Sequence, residues 1–293
     1  MATTTAPPPS SVPPPIRSIE SGAVLIEPII GWLPLGLRDV WDYRELLYFF
    51  VWRDIKVRYR QTVIGAAWVV VQPLATMVIF TLFLGRLAKL PSQGLPYPVF
   101  YFSALVPWTY FSQALANCTN VIADNQHLIT KVYFPRLVLP LAAVCSGLLD
   151  FSIGFIVMIA LTVGYGIRPT LAVLLLPGFI LLALLTALGI GLWTSALNAL
   201  YRDIRSITPF VLQFWMFASP VVYPSSLVSR RWRWLYDLNP MAGVIDGFRW
   251  ALTGKSRAPG GPTLLASTAM VALVLVGGLL FFQRVEGEIV DRV

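Results

Sequence analysis

Residues 53–80 read RDIKVRYRQTVIGAAWVVVQPLATMVIF. Arg53, Lys56, Arg58 and Arg60 fall within eight positions, and no formal charge then appears until Arg86. About 20 residues of helix cross the ~30 Å hydrocarbon core of a bilayer, so the charge-free run is long enough to span. A helix also satisfies its own backbone polar groups, which hydrocarbon requires. Basic side chains accumulate on the cytoplasmic side of such spans, so the cluster at its start marks the cytoplasmic end.

The same reading extends along the chain. Charge-poor apolar windows run from Ile64 to Leu84, Val99 to Ala123, Leu137 to Val163, Leu171 to Leu197, Ile207 to Val228 and Thr263 to Phe282. The expected fold is all-α: a polytopic membrane protein with six transmembrane helices. Pro209, Pro220 and Pro224 punctuate the fifth window, whose tail is either spanning or re-entrant. With 57% hydrophobic and 12% charged residues, the chain lies outside the soluble range. Its mean hydropathy of +0.71 agrees. The net charge of +8 flanks apolar spans instead of forming a separate basic domain, so membrane lipid is the expected partner and nucleic acid is not.

Residues 1–35 begin MATTTAPPPSSVPPP, too rich in proline and too poor in large apolar groups to pack, and are expected to be a disordered cytoplasmic tail. No signal-peptide pattern is evident. Between the tail and the first span, Asp42 and Glu45 resemble a helix N-cap pair. A helix over 42–60 places Tyr48, Trp52, Ile55 and Tyr59 on one stripe and Arg53, Lys56 and Arg60 on another. That is the pattern of an amphipathic helix in the headgroup plane. From a cytoplasmic N-terminus, six spans bring the C-terminus back to the cytoplasm. The loop PSQGLPYP at 91–98 is then external, and 124–136 and 200–206 are internal. The segment between spans five and six would be external despite Arg230, Arg231, Arg233, Arg249, Lys255 and Arg257.

Sequence signatures of catalysis are absent. TGKS at 253–256 lacks the upstream glycine of a phosphate-binding loop, since Arg249 stands in that place. His127 is the only histidine, and neither cysteine, Cys118 nor Cys145, forms a metal-ligand spacing. No metal and no cofactor are expected on this chain. Asp150 is charged inside a span, where an acid costs about 2.5–3.5 kcal/mol on insertion scales and must face a partner helix or a wet cavity. It is a proton site, a group lining a substrate path, or a carboxylate bonded to a neighbouring helix. Trp108, Tyr110, Phe111, Phe214, Trp215 and Phe217 form either an interfacial belt or a stacking wall for sugar rings.

In order along the chain come RDIKVRYRQTVIGAAWVVVQPL at 53–74, FSALVPWTYFSQAL at 102–115, NQHLITKVYFPRLVLPLA at 125–142, SPVVYP at 219–224 and LNPMAGVIDGFRWAL at 238–252. From Arg53 to the C-terminus these blocks resemble the permease subunit of an ABC-2-type exporter, in the branch that moves lipid-linked polysaccharide such as O antigen, capsule or teichoic acid. The resemblance implies an ABC-2 transmembrane domain over 36–293 and a bacterial inner-membrane location. It also implies a dimer of two copies of the chain, served by two separate ATP-binding cassette subunits that carry ATP and Mg. Short re-entrant helices would form an external gate between spans five and six, with Trp232, Trp234, Tyr236, Asn239, Pro240, Phe248 and Arg249 in it. Asn125, Gln126, His127, Lys131 and Tyr133 would couple to the ATPase, together with the interfacial helix of Tyr48, Trp52, Arg53, Lys56 and Tyr59. Arg58 and Arg60 are candidates for holding a lipid diphosphate at the cytoplasmic entrance. The aromatic set and Asp150 would line the channel. Other ABC-2 cargo, a proton-coupled carrier using Asp150 and a membrane glycosyltransferase are the rival readings.

Overall fold

A computed structural model describes residues 37–60, 67–168, 170–229, 231–254, 256, 258 and 260–292, with side chains described up to 286. The expected tail at 1–35, the first residues of the first predicted span, and Arg230, Lys255 and Arg257 lie outside the described residues.

All regular structure among the described residues is helical. In order these are α1 (Leu37–Asp42), α2 (Arg44–Arg60), α3 (Ala67–Phe80, continuing as a π-helix over Thr81–Leu87), α4 (Tyr97–Asp124), α5 (Gln126–Ile129) and α6 (Val138–Gly164). Then follow α7 (Leu176–Leu200, led in by a 3₁₀ turn at Leu171–Leu175), α8 (Asp203–Ala218), α9 (Arg233–Asp237), α10 (Pro240–Thr253) and α11 (Gly261–Arg292). Local chemistry sets several ends. Proline opens α10 behind Asn239, whose side chain accepts from the Met241 N–H at the cap. Gly254 closes the same helix at φ 61°, a left-handed position open to glycine.

Among the described residues, four helices are both long and apolar enough to cross a membrane: Ala67–Leu87, Val138–Gly164, Leu171–Leu200 and Gly261–Glu286. These correspond to the first, third, fourth and sixth predicted spans. The second predicted span is α4, whose 28 residues rise about 42 Å. It is less apolar because it faces protein. Eighteen of those residues are buried, and α3, α6, α7, α8 and α10 all pack on it. A helix surrounded by helices tolerates hydroxyls and amides that a lipid-facing helix does not. Thr119 shares a hydrogen bond with Thr194 at 2.7 Å, and Asn198 donates to the Thr119 carbonyl at 3.0 Å.

The fifth prediction, 207–228, needs correction. Helix α8 begins earlier, at Asp203, and stops at Ala218. Ser219 is extended (φ −111°, ψ 157°), as the residue before Pro220 must be, and neither Pro220 nor Pro224 has an N–H with which to continue the helix. At 16 residues, α8 rises about 24 Å.

The residues expected to form an interfacial helix are helical, as α1 and α2, but Asp42 is not the cap. Residues 37–42 are already helical, whereas an N-cap needs non-helical backbone, and the chain turns instead at Tyr43. The aromatic stripe is also divided. Tyr48 and Trp52 are exposed, while Phe50, outside that stripe, is buried against Phe134 with ring centroids 5.6 Å apart. The Arg53 guanidinium lies 4.8 Å from the Phe50 ring centre. Helix α2 therefore climbs alongside α6, from Phe134 below its start to Asp150 twelve residues into it.

Candidate functional site

Asp150 joins α6 to α2. Its position on α6 places it against the C-terminal turn of α2, where Arg58 and the Tyr59 hydroxyl both donate to its carboxylate. Asp150 is 8% exposed, and the Arg58 side chain is 29% exposed. Burial raises the Tyr59 phenol above its ordinary pKa and the Asp150 carboxylate raises it further, so the hydroxyl is a donor at neutral pH. Two separate sequence candidates, a channel-lining acid and an entrance arginine, are thus joined. Arg60, two residues on, is exposed, as are Lys56 and Trp52.

Beside this pair a cavity of about 480 Å³ opens between α2, α4 and α6. Arg53, Asp54, Arg58, Asn117, Asn120 and Ser146 are among the groups lining it. Its arginines are neutralised in place: Arg53 bonds Asp54 at 2.9 Å and Arg58 bonds Asp150. Below it, the loop and short helix after α4 carry the predicted coupling residues. His127, Lys131 and Tyr133 are exposed there, and Asn125 and Gln126 are half-buried. Arg136 turns away from this surface, donating to the Glu286 carbonyl of α11.

One further ion pair, Arg205 with Asp124 at 3.2 Å, joins α8 to the end of α4, with both side chains more than half exposed. An exposed pair of this kind contributes about 0–1 kcal/mol. Arg205→Ala is therefore expected to change the unfolding free energy in detergent by less than about 1 kcal/mol, measured beside the parent chain.

The aromatic candidates for a channel wall separate into two groups. Trp108, Tyr110 and Phe111 on α4 are buried inside the single chain. Tyr110 packs on Phe151 and Phe111 on Trp215. Phe214 and Phe217 on α8 are 62% and 53% exposed, and Phe210, one turn earlier, joins them with its ring 4.6 Å from that of Phe214. Of the channel candidates, the exposed rings are therefore those on α8.

At the other end of α8, Trp232, Tyr236, Asn239 and Pro240 of the predicted gate meet Trp215 around a cavity of about 620 Å³. Trp234 is exposed, while Phe248 and Arg249 are fully buried. Asn239 accepts from the Trp215 indole at 3.0 Å, linking α8 to the start of α10. Sequence reading placed Arg249 in the external gate segment; in the fold its guanidinium is buried over the Phe100 ring at 3.9 Å and donates to the Pro220 carbonyl at 2.8 Å. Phe50 was missed because it lies off the aromatic stripe of α2.

The sequence matches the ABC-2 type transporter family model over residues 45–253, which takes in α2 from Glu45, the cavity beside Arg58, helix α8 and α10. It is 31% identical over 261 residues to the O-antigen export system permease protein RfbA of Myxococcus xanthus, covering 88% of this chain and 98% of that protein. A second RfbA, from Klebsiella pneumoniae, is 29% identical over 206 residues, covering 70% and 79% of the two chains. The polysialic acid transport protein KpsM of Escherichia coli is 26% identical over 207 residues, covering 68% and 78%. With the family match extending over more than half of the residues and a 31% identical relative aligned almost end to end, the chain belongs to the ABC-2 type transporter family.

Proposed function

We propose that this chain is the permease subunit of an ATP-driven exporter that moves a lipid-linked polysaccharide from the cytoplasmic side across a bacterial inner membrane. The observation that carries the reading is the near full-length similarity to an O-antigen export permease. A capsule-type transport protein among the relatives supports the same cargo class. Residues 36–293 act as the transport domain. Helices α4 and α8 complete six spans, with α9 and α10 as the external gate and both termini in the cytoplasm.

Two copies would enclose the path, and the exposed Phe210, Phe214 and Phe217 row would present aromatic faces to sugar rings, whose C–H faces pack on aromatics while their hydroxyls stay hydrated. ATP and Mg would bind two partner cassette subunits. Their closure would press on α2 and on the exposed His127, Lys131 and Tyr133 surface. Because Arg58 is engaged by Asp150, Arg60 is the freer of the two arginines to meet a lipid phosphate, and bidentate guanidinium contacts suit that group. Asp150 serves this machine as an anchor for α2.

The test is the sidedness of lipid-linked glycan in cells depleted of the chain, using a glycan stain on intact and permeabilised cells. Accumulation on the cytoplasmic side is the expected result. Undisturbed delivery to the outside would overturn the polysaccharide reading and direct attention to another ABC-2 cargo, such as a small lipid.

A further inference from the structure

The break at the outer end of α8 has the composition of a hinge. Pro220 and Pro224 interrupt the chain within six residues of Ala218, and helical hydrogen bonding ends there. Its polar groups are nevertheless taken up by α10. The Asn239 amide donates to the Ala218 carbonyl at 3.2 Å and to the Ser219 hydroxyl at 2.9 Å, while its oxygen accepts from Trp215 and from the Met241 N–H. Arg249 donates to the Pro220 carbonyl at 2.8 Å. The cap residue of α10 and an arginine within it thus hold three consecutive residues at the break, Ala218, Ser219 and Pro220.

The Arg249 bond resists opening most strongly. The side chain has no exposed surface, and its charge is balanced inside the protein by Asp246 at 3.5 Å, the Phe100 ring face and the Pro220 carbonyl dipole. Bending at the break would strip a buried guanidinium of an acceptor and leave a carbonyl unpaired, with no water to replace either. Ser219, Pro220 and Val221 are all buried as well, so a bend at these residues would have to move them through packed protein.

We propose that Asn239 and Arg249, the latter balanced by Asp246, are positioning residues that weld the break at Ala218–Pro220 to α10, so that the outer end of α8 and the external helices move as one body during transport. Opening then displaces this unit as a whole and does not bend it at its prolines. The inference rests on the exporter reading for the existence of an ATP-driven motion, and on the geometry alone for the weld.

Val221, next to the break and with no exposed surface, reports on the weld. Cys118 and Cys145 are replaced by alanine, Val221→Cys is introduced, and a membrane-impermeant maleimide is applied from outside to spheroplasts carrying the full complex, at rest and during ATP turnover. We expect Cys labelling to stay at background in both states. Arg249→Met is expected to raise labelling about tenfold, as local opening of a protected site does, and to lower glycan export while ATP hydrolysis persists. Arg249→Lys, which keeps one charged donor, should restore most of the protection. A roughly tenfold rise in labelling during turnover of the otherwise native chain would overturn the weld, as would continued protection in Arg249→Met. If Arg249→Met is not recovered in the membrane, Asn239→Asp decides. It keeps the acceptor used by Trp215 and Met241 but loses both donors, and unchanged labelling there would overturn the proposal. Labelling reads the motion whatever the cargo. Protection that persists without glycan export would therefore leave the weld standing and discard the cargo, whereas labelling during normal export would do the reverse.

Discussion

Asp150→Ala is expected to destabilise the folded chain by about 2–3 kcal/mol, and Arg58→Met together with Asp150→Leu by less than that single change. Removing the carboxylate leaves the Arg58 guanidinium and the Tyr59 hydroxyl without their shared acceptor. Breaking a buried pair costs about 3–5 kcal/mol, and the lower figure follows because 29% of the Arg58 side chain still reaches the surroundings. Replacing both partners by apolar groups removes the stranded charge, so unfolding measurements of Arg58→Met, Asp150→Leu and the double in one detergent should return a coupling of about 1–3 kcal/mol. A coupling near zero would show that α2 is held to α6 by packing and not by this ion pair. Asp150→Asn separates this structural role from proton transport. The amide still accepts from Arg58, so export should fall modestly, whereas a proton carrier would lose transport altogether.

The second large effect is expected where α7 crosses α11. A Cβ built on Gly278 would lie 2.5 Å from the Gly189 carbonyl oxygen and 3.1 Å from the Trp193 ring. The Gly189 side of the contact is also close, with Leu275 backbone atoms 3.0 Å from its own ideal Cβ. Membrane helices lack a hydrophobic drive to associate, so they gain by letting backbones approach at small residues. Because the obstructing atom belongs to the backbone, no rotamer change relieves the clash, and the two helices must move apart. Overpacking costs about 1–3 kcal/mol and glycine to alanine in a helix recovers up to about 1 kcal/mol, so Gly278→Ala should be net destabilising and Gly278→Leu should abolish the folded state. The separation would also disturb the Trp193 stack on Phe281 at 4.6 Å and the indole bond to the Val274 carbonyl at 3.2 Å. Gly164→Ala is the control, since nothing lies within 4 Å of its ideal Cβ. Equal melting temperatures for all three chains would refute the tight crossing.

Legibility varied with the range of the physics involved. The third and fourth spans were expected at 137–163 and 171–197 and form helices at Val138–Gly164 and Leu171–Leu200, because the length of a charge-free window is set by the bilayer. The end of α8 was misplaced by hydropathy, which counts apolar residues and is blind to the extended backbone that Pro220 imposes on Ser219. Helix α4 was recognised by its lack of charge, but its hydroxyls and amides became intelligible only when it was seen to be enclosed by other helices. Among site residues, Asp150 stood out at once as an acid in an apolar run. Its partner Arg58 lies 92 positions away within a basic cluster, where nothing local distinguishes it from Arg53 or Arg60. Phe210, left out of the channel candidates, shares its exposed face with Phe214 only because α8 is packed with that side outward.

By itself the amino-acid sequence determined that this is a helical membrane protein, where its main apolar segments run and, through the order of its motifs, to which transporter family it belongs. The first two properties follow from one-dimensional quantities, charge-free length and the position of basic flanks, and the third from the resemblance of its motif blocks to a known family. The tertiary structure alone decided that Arg58 is bound to Asp150, that Arg249 is a buried strut within the gate segment, and that Phe210 and Phe214 share an exposed face of α8. Each of these depends on which helix faces give up lipid or water for protein, and a buried charge is tolerated only where groups distant in sequence converge to satisfy it.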